Sequence, residues 1–306
     1  MMKKFILKLS IVGILVFGVL LAGELYVRHI PNPCSYKHNY ILTHGDSIEV
    51  LVMGQSHAYT GIDPDYLEKN TFNLAYGARI LEYDRLLLEQ YVDKCPNLSH
   101  IILPISYASL YDEPFEETDM WWYIINYQVY MNTHSHSFFS KYNFEFSHRE
   151  VFIGKIKKAL SGAKPLECKK NGMGLDNRLA DRPSNWEELY EDAIEHHTAN
   201  SDKYLAYNLE QLSRIIDICE QHQIELDIVT TPVWHTYFEH LNTKQLNVTI
   251  DTLTYLSRNH QFVRYFNYIQ DDRFIDEDFS EVQHLSEYGA VKFTRILQND
   301  IFDDKQ

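Results

Sequence analysis

The sequence predicts an α/β protein built on a doubly wound parallel sheet, with a helical insertion and an N-terminal transmembrane helix. Short apolar runs of the buried-strand type alternate along the chain with stretches whose apolar residues recur every three to four positions. Strands that alternate with helices imply right-handed crossovers and a parallel sheet that is covered on both faces. A long uncharged run lies near the start of the chain, and one middle stretch has no strand pattern.

Residues 1–24 are predicted to form a membrane anchor. An uncharged run covers 9–23, and the apolar span reaches about 18 residues if Lys8 extends its amine to the membrane interface. A cleaved signal peptide is the alternative, although Leu20-x-Ala22 is a poor cleavage site. Basic residues before the run and Glu24 after it predict a single-pass protein whose remaining chain lies outside the cytoplasm, in the periplasm or at the cell surface.

The remaining chain divides into a juxtamembrane linker, residues 25–45, and one α/β domain, residues 46–306. Apolar runs predict strands over 48–53, 71–75, 100–105, 225–230 and 263–267. Helical periodicity predicts helices over 80–92, over 204–219, from 253 onward and over 286–297.

Residues 107–200 are predicted to be an insertion in this domain. They contain no clean strand, but they carry the aromatic cluster Met120-Trp121-Trp122-Tyr123 and a basic loop with glycines over 155–174. Two interpretations remain open. The insertion is either a helical subdomain with its own aromatic core, or a lid or acceptor groove over the strand ends.

The composition excludes several functions. The net charge of −15 and the lack of a Lys/Arg stripe argue against nucleic-acid binding. Neither GxxxxGK[ST] nor GxGxxG occurs, and the four cysteines form no CxxC pair, so no nucleotide, metal or other cofactor is implied. The cysteines form one or two disulfides or remain buried thiols. The 22 tyrosines either pack in the core or stack on sugar rings.

A serine follows the first predicted strand, in VLVMGQSHAYTGIDP. Ligands of open parallel sheets bind outside the carboxyl ends of the strands, and Ser56 lies at that edge. Gly54 permits a tight turn, and a helix after it would direct backbone N–H groups toward an anion. Ser56 is therefore a candidate nucleophile, with a turn residue or helix N-cap as the alternative.

A nucleophilic serine needs a base, and the base needs an orienting acceptor. The best candidate lies in DEDFSEVQHLSEYGAVKF, where His284 stands just before the final helix. Glu281 and Asp278 precede it by three and six residues, so either carboxylate could hold the imidazole toward Ser56. Ser286 is a plausible N-cap of the final helix. The alternative is a capping histidine beside a solvated acidic loop.

These two blocks resemble the SGNH hydrolase superfamily of GDSL-like esterases, in particular its membrane-anchored branch that acylates cell-envelope polymers. The resemblance lies in GQSHAYTGI and DFSEVQHLSEYGAVKFT and covers about 48–110 and 225–297. It implies a flavodoxin-like sheet, with Ser56 as nucleophile and His284 as base. The Asp of the family's Asp-x-x-His is replaced by Glu281, and Asp278 is the reserve candidate.

The resemblance also implies an oxyanion site. Family members use the backbone N–H of the serine, a Gly after the second strand and an Asn after the third. Ser56 and Gly77 match the first two positions, whereas LPISYASL carries no Asn and places Ser106 near the third. Either Ser106 donates in its place or activity is low, since one lost oxyanion donor costs about 2.7–4 kcal/mol of transition-state stabilisation.

Three further residues are candidates for substrate binding. His57 follows the nucleophile, and TTPVWHTYF places Trp234 and His235 after the fourth strand, at the same sheet edge. Packing in the turn is the alternative for His57, and core packing is the alternative for Trp234.

These expectations together describe a membrane-anchored serine esterase or O-acyltransferase that acts on an extracytoplasmic glycan or envelope polymer. A membrane acyltransferase is a possible partner that supplies the acyl group. The alternative is a catalytically weak or inactive SGNH-like module that binds glycan or a membrane partner enzyme. The missing Asn and Glu281 favour this alternative, whereas Ser56 and His284 oppose it.

Overall fold

The computed structural model of the protein describes residues 2–137, 139–162 and 166–303. The chain forms two compact units. One comprises Met1–His38 with Phe115–Glu167, and the other comprises Asn39–Pro114 with Cys168–Gln306. The predicted insertion, residues 107–200, is therefore divided between the two units.

The second unit contains a five-stranded sheet in which all strands are parallel. The strands, which fall on the predicted apolar runs, are β1 (Val50–Val52), β2 (Thr71–Asn73), β3 (His100–Pro104), β4 (Glu225–Thr230) and β5 (Val263–Asn267). Their order is β2-β1-β3-β4-β5, so the order reverses between β1 and β3. The predicted α/β class is confirmed.

The central strands form the core of this unit. Leu51, Ile101 and Ile228 are at most 1% exposed, and β1, β2 and β3 are buried at every position. Parallel strands that are covered on both faces read as continuous apolar runs rather than as alternating patterns. This is why the strands could be located from hydrophobicity alone.

Helices occupy most of the remaining described chain. They are α1 (Met2–Arg28), α2 (Pro33–His44), α3 (Ser56–Gly61), α4 (Leu81–Tyr91), α5 (Tyr123–Ile125), α6 (Arg149–Leu160), α7 (Tyr190–His197), α8 (Leu205–His222), α9 (His235–Glu239), α10 (Thr243–Asn259) and α11 (Glu287–Leu297). The helix α8 shows why they form. Its Leu212, Ile215, Ile216 and Cys219 recur at helical spacing and are buried against the sheet unit.

The N-terminal helix α1 is long and apolar enough to cross a membrane. Its apolar side chains are exposed up to Leu21, but Glu24 and Val27 in its last turns are buried. Glu24 pairs with Arg28 and accepts hydrogen bonds from the backbone N–H groups of Glu145 and Phe146. The end of α1 is thus fixed to its own unit by a carboxylate.

The predicted linker, residues 25–45, is largely helical. The helix α1 continues to Arg28, and α2 begins at Pro33. Asn32 accepts a hydrogen bond from the N–H of Ser35 at 2.9 Å, and Pro33 occupies the first turn, where a missing N–H costs nothing. The Asn-Pro pair, which marks the predicted juxtamembrane linker in the sequence, starts a helix in the structure.

The four cysteines, Cys34, Cys95, Cys168 and Cys219, are all buried and form no disulfide among the described residues. Burial raises the pKa of the Cys95 thiol to about 11 and, with the charge of Asp227, that of Cys219 to about 12. Of the two alternatives for the cysteines, the structure has the buried thiols.

Candidate active site

Residues 53–55 form the turn that joins β1 to α3, the nucleophile turn, and the candidate nucleophile Ser56 is the first residue of that helix. Gly54 has φ of +106°, a left-handed conformation that favours glycine. A Cβ at this position would lie 3.3 Å from the carbonyl oxygen of Pro104. Glycine therefore allows the nucleophile turn to approach the end of β3, and the turn presents Ser56 at the carboxyl edge of the sheet.

His284 and Ser56 lie within hydrogen-bonding distance, with 2.7 Å between His284 Nε2 and Ser56 Oγ. The other ring nitrogen, Nδ1, is hydrogen-bonded to Oε1 of Glu281. The loop that carries both residues is held closed by a 3.0 Å hydrogen bond from the Ser280 N–H to the His284 carbonyl. Serine, imidazole and carboxylate therefore form a continuous chain of three groups.

The charge of Glu281 determines the tautomer of His284. Burial raises the pKa of Glu281, but the hydrogen bonds from His284 and Gln283 and the charges of His284 and His197 together bring it below its ordinary value. An ionised carboxylate only accepts hydrogen bonds, so the proton of neutral His284 lies on Nδ1. His284 Nε2 is then free to accept the proton of Ser56.

Asp278, the reserve candidate for the orienting carboxylate, has other partners. Its Oδ2 accepts hydrogen bonds from the Ile275 N–H at 2.9 Å and from Lys292 Nζ at 2.6 Å. Its backbone carbonyl accepts from the N–H of Ser286, which in turn caps α11. Asp278 therefore builds the loop, and Glu281 contacts His284.

Two more imidazoles lie close to His284. His57 is buried, and its ring is stacked on that of His284 with 4.6 Å between centroids. His57 Nδ1 is buried and has no hydrogen-bond partner among the described residues. Burial first, then the charges of His284 and His197, holds the pKa of His57 well below its ordinary value.

His197 lies at the end of α7. Its Nδ1 lies 3.1 Å from the hydroxyl of Tyr237. Burial and the charge of His284 lower the pKa of His197 to about 4, so this ring is neutral at pH 7. The sequence offered no signal for its position, because α7 belongs to a stretch without strand pattern.

Two backbone N–H groups are available for an oxyanion. Neither Ser56 nor Gly77 donates its N–H to another residue in the described ranges. The loop of Gly77 is held against the nucleophile turn by a 3.1 Å hydrogen bond from the Tyr76 N–H to the Gly54 carbonyl. A Cβ at Gly77 would contact nothing within 4 Å, so the space beside this N–H is open.

Ser106 is connected to the nucleophile turn through the neighbouring side chain. The Gln55 amide donates hydrogen bonds to Ser106 Oγ at 2.7 Å and to Ser109 Oγ at 2.8 Å. The Ser106 N–H donates to Ser109 Oγ at 2.9 Å. The turn after β3 is thereby bound to the residue that precedes the nucleophile, an arrangement that the sequence did not reveal.

A buried ion pair between Arg79 and Asp84 supports the nucleophile turn. The Gly54 N–H donates to Oδ1 of Asp84 at 2.9 Å, and the Arg79 guanidinium contacts the same oxygen at 3.3 Å. Both side chains are at most 2% exposed. Because Arg79 follows the Gly77 loop closely in sequence, Asp84 joins this loop to the nucleophile turn.

Trp234 and His235 occupy different environments. Trp234 packs against Trp186 and Phe279, and its backbone N–H donates to the Val282 carbonyl at 2.7 Å, next to the His284 loop. Its indole N–H is buried and has no acceptor among the described residues. The side chain of His235 is 59% exposed, and its charged neighbour is Glu239 at 3.9 Å.

A cavity of about 190 Å³ lies beside His197. Its lining is mostly polar and includes Asp112, Glu113, His196 and Tyr204. Burial raises the pKa of Asp112 to about 7, so this carboxyl is partly protonated at neutral pH. Such a carboxyl can donate or accept a hydrogen bond from a ligand hydroxyl.

The groups at this sheet edge are those that nucleophilic catalysis by serine requires: a hydroxyl, an imidazole, a carboxylate and N–H groups without an acceptor among the described residues. Within the described ranges, no group of three or more His, Cys, Asp or Glu side chains could hold a metal ion.

Comparison with known proteins gives little further guidance. No protein-family model matches the chain, and no curated protein matches it. Among solved structures, it is similar to a protein from Streptococcus pneumoniae that is provisionally described as a platelet activating factor. The two chains share 12% identity and a TM-score of 0.43, over 96% of this chain and 99% of the other. At this level, the similarity does not establish a shared fold.

Proposed function

We propose that the protein is a membrane-anchored serine esterase or O-acyltransferase of the SGNH hydrolase type. The observation that carries the proposal is the Ser56, His284 and Glu281 chain, with 2.7 Å between Ser56 Oγ and His284 Nε2. These two residues are 228 positions apart in sequence. A capping histidine would not require this contact with the serine at the opposite end of the domain.

In the proposed reaction, Ser56 Oγ attacks the carbonyl carbon of an ester while His284 Nε2 takes the hydroxyl proton. The oxyanion of the tetrahedral intermediate accepts hydrogen bonds from the N–H groups of Ser56 and Gly77, with the Ser106 hydroxyl as the third donor. His284 then returns the proton to the leaving oxygen. Glu281 keeps Nδ1 protonated and stabilises the imidazolium between these steps.

The sheet supports the SGNH assignment. The strand order 2-1-3-4-5 is that of doubly wound, flavodoxin-like sheets, in which ligands bind where the order reverses. Ser56 follows β1 and Ser106 follows β3, the two strands at this reversal. Glu281 takes the role of the family's aspartate, and the longer side chain reaches His284 from three residues away.

The proposed substrate is an acylated extracytoplasmic glycan or envelope polymer. Trp234 offers an aromatic surface and a buried N–H beside the His284 loop, and the polar cavity at His197 suits a ligand rich in hydroxyls. Hydrolysis results when water takes up the acyl group from Ser56, and acyl transfer results when a sugar hydroxyl takes it up. Glu24 and the lysines that precede the apolar run favour an extracytoplasmic location for the catalytic unit.

A fluorophosphonate probe on the full chain in detergent tests the proposal. We expect labelling of the wild type, none in Ser56→Ala and strongly reduced labelling in His284→Asn. Ser201→Ala is the matched control, because Ser201 is an exposed serine of the same unit and should label like the wild type. Folded wild-type protein that stays unlabelled from about pH 6 to 9 would leave only the binding function.

A further inference from the structure

The helix α6 of the first unit has an apolar face that its own unit covers only in part. Phe152, Ile156 and Leu160 are spaced four residues apart, and Ile153 lies beside them on the same side of the helix. None of the residues of α6 is fully buried. Ile153 is 37% exposed and Leu160 is 75% exposed. These four residues form the apolar stripe of α6.

The stripe starts where the apolar run of α1 ends. A Cβ on Gly23 would lie 2.9 Å from the ring of Phe152, the first residue of the stripe. One residue later, Glu24 is buried and binds the turn that precedes α6 through the N–H groups of Glu145 and Phe146. The position of α6 relative to α1 is therefore fixed at the boundary between apolar and polar sequence.

The charge around α6 is opposite in sign to that of the protein. Residues 139–162 carry five Lys or Arg side chains and two Glu, a net charge of +3, whereas the whole chain carries −15. Two of the lysines are already paired with acids, Lys155 with Glu145 and Lys158 with Glu167. The exposed Lys157 directly follows Ile156 and lies along the edge of the stripe. A helix with an apolar face and flanking lysines is typical of binding to an anionic membrane surface.

Aromatic side chains lie at the start of the same helix. Trp121 and Trp122 contact the ring of His148, which caps α6, with centroid distances of 5.2 and 6.3 Å. Both indoles are half-buried, and Lys141 lies 3.8 Å over the Trp121 ring. Tryptophan and lysine are enriched at the depth of the lipid headgroups, where an apolar ring and a charged amine are both solvated.

We infer that α6 lies in the headgroup region of the bilayer that α1 spans, with its apolar stripe directed to the acyl chains and its lysines to anionic headgroups. The occupant of the stripe is lipid, and α6 is a second membrane contact of the first unit. This inference rests on the proposed membrane anchor, but it is independent of the proposed chemistry. It gives the cluster of Trp121 and Trp122 a membrane role in place of a lid or an acceptor groove.

Spin labels on the full chain in phosphatidylglycerol nanodiscs test this inference. The four native cysteines are buried, so a cysteine introduced at an exposed position can be labelled selectively. We place labels at Ile153→Cys and Leu160→Cys, with Leu15→Cys in α1 as the lipid reference. Tyr255→Cys is the aqueous reference, because Tyr255 is an exposed aromatic residue of the other unit at 64% exposure. The readout is collision with oxygen relative to a water-soluble nickel chelate.

We expect labels at 153 and 160 to collide mainly with oxygen, at a depth shallower than Leu15, and Tyr255 to collide mainly with nickel. The label at 160 should move toward the aqueous value in phosphatidylcholine nanodiscs, because the lysines lose their anionic partner. Aqueous values at 153 and 160 with a lipid value at Leu15 would overturn the inference and leave the anchor intact. An aqueous value at Leu15 would overturn both, whereas fluorophosphonate labelling of Ser56 reports on the chemistry separately.

Discussion

The imidazole of His57 is stacked on that of His284, with centroids 4.6 Å apart and planes 23° from parallel. His57 thus follows Ser56 in sequence and also packs its ring against the imidazole of His284. A buried ring of lowered pKa stays neutral when His284 becomes an imidazolium, so it offers a polarisable face without adding charge.

His57→Phe should preserve this contact, because a phenyl ring keeps the stacking surface. His57→Ala should lower kcat by about 10- to 100-fold through misplacement of the base, with KM little changed. Ester hydrolysis by the two variants, measured side by side, checks this. Equal kcat values in both would show that the ring of His57 does not position His284.

The stability of the protein should fall as the pH decreases through the range in which free histidine titrates. His57 and His197 both have folded-state pKa values below the ordinary 6.5, and that of His197 is about 4. Between about pH 6.5 and 4 the unfolded state binds more protons than the folded state, so the free energy of unfolding decreases as pH falls.

Urea unfolding of the wild type and of His197→Gln at several pH values measures this dependence. The variant should lose less stability than the wild type between about pH 6.5 and 4, because it lacks one of the two titrating rings. Parallel curves over this range would contradict the neutral, buried state of His197.

Substitutions of Glu281 and of Asp278 should have opposite effects, the first mainly on kcat and the second mainly on the free energy of unfolding. Glu281→Gln keeps the shape, but its amide can donate to His284 Nδ1 and so favour the wrong tautomer. We therefore expect kcat to fall by about 10³- to 10⁴-fold with little change in the free energy of unfolding. Asp278→Asn should lower the free energy of unfolding by about 1–3 kcal/mol through weakened bonds to Lys292 and Ile275, and kcat should fall much less. Rates and urea midpoints of both variants distinguish orientation of the base from support of its loop.

The two glycines at the sheet edge provide a matched comparison. Gly54→Ala places a Cβ at φ of +106° and 3.3 Å from the Pro104 carbonyl, so it should destabilise the protein by about 1–3 kcal/mol and displace Ser56. Gly77→Ala meets open space and keeps its N–H, so fold and activity should persist. Thermal unfolding and fluorophosphonate labelling check both. A large loss of labelling in Gly77→Ala would argue that substrate needs the space beside this N–H.

The sheet and the central pair of the site could be predicted because their signals are local. Strands such as His100–Pro104 are buried on both faces, so they appear as apolar runs in the sequence. Ser56 and His284 could be paired because each lies next to a recognisable strand end or helix start. The start of α2 was also readable, since Asn32 and Pro33 form an N-cap and a first turn, but it was interpreted as a linker.

The surroundings of the site could not be predicted, because they depend on contacts between distant segments. His197 comes from a stretch without periodic pattern, and Asp84 meets the Gly54 N–H across 30 residues. The bonds from Gln55 to Ser106 and Ser109 join two turns whose separation in space is set by the register of β1 and β3. Neither the hydrophobicity nor the residue spacing of a single segment predicts hydrogen bonds of this kind.

The buried thiols of Cys95 and Cys219 have a practical consequence for the handling of this protein. A thiol of pKa near 11 or 12 is almost entirely protonated at neutral pH, and the thiolate is the form that oxidants and disulfides attack. While the protein is folded, Cys95 and Cys219 should therefore react very little with oxidants or disulfides, in reducing and in oxidising surroundings alike.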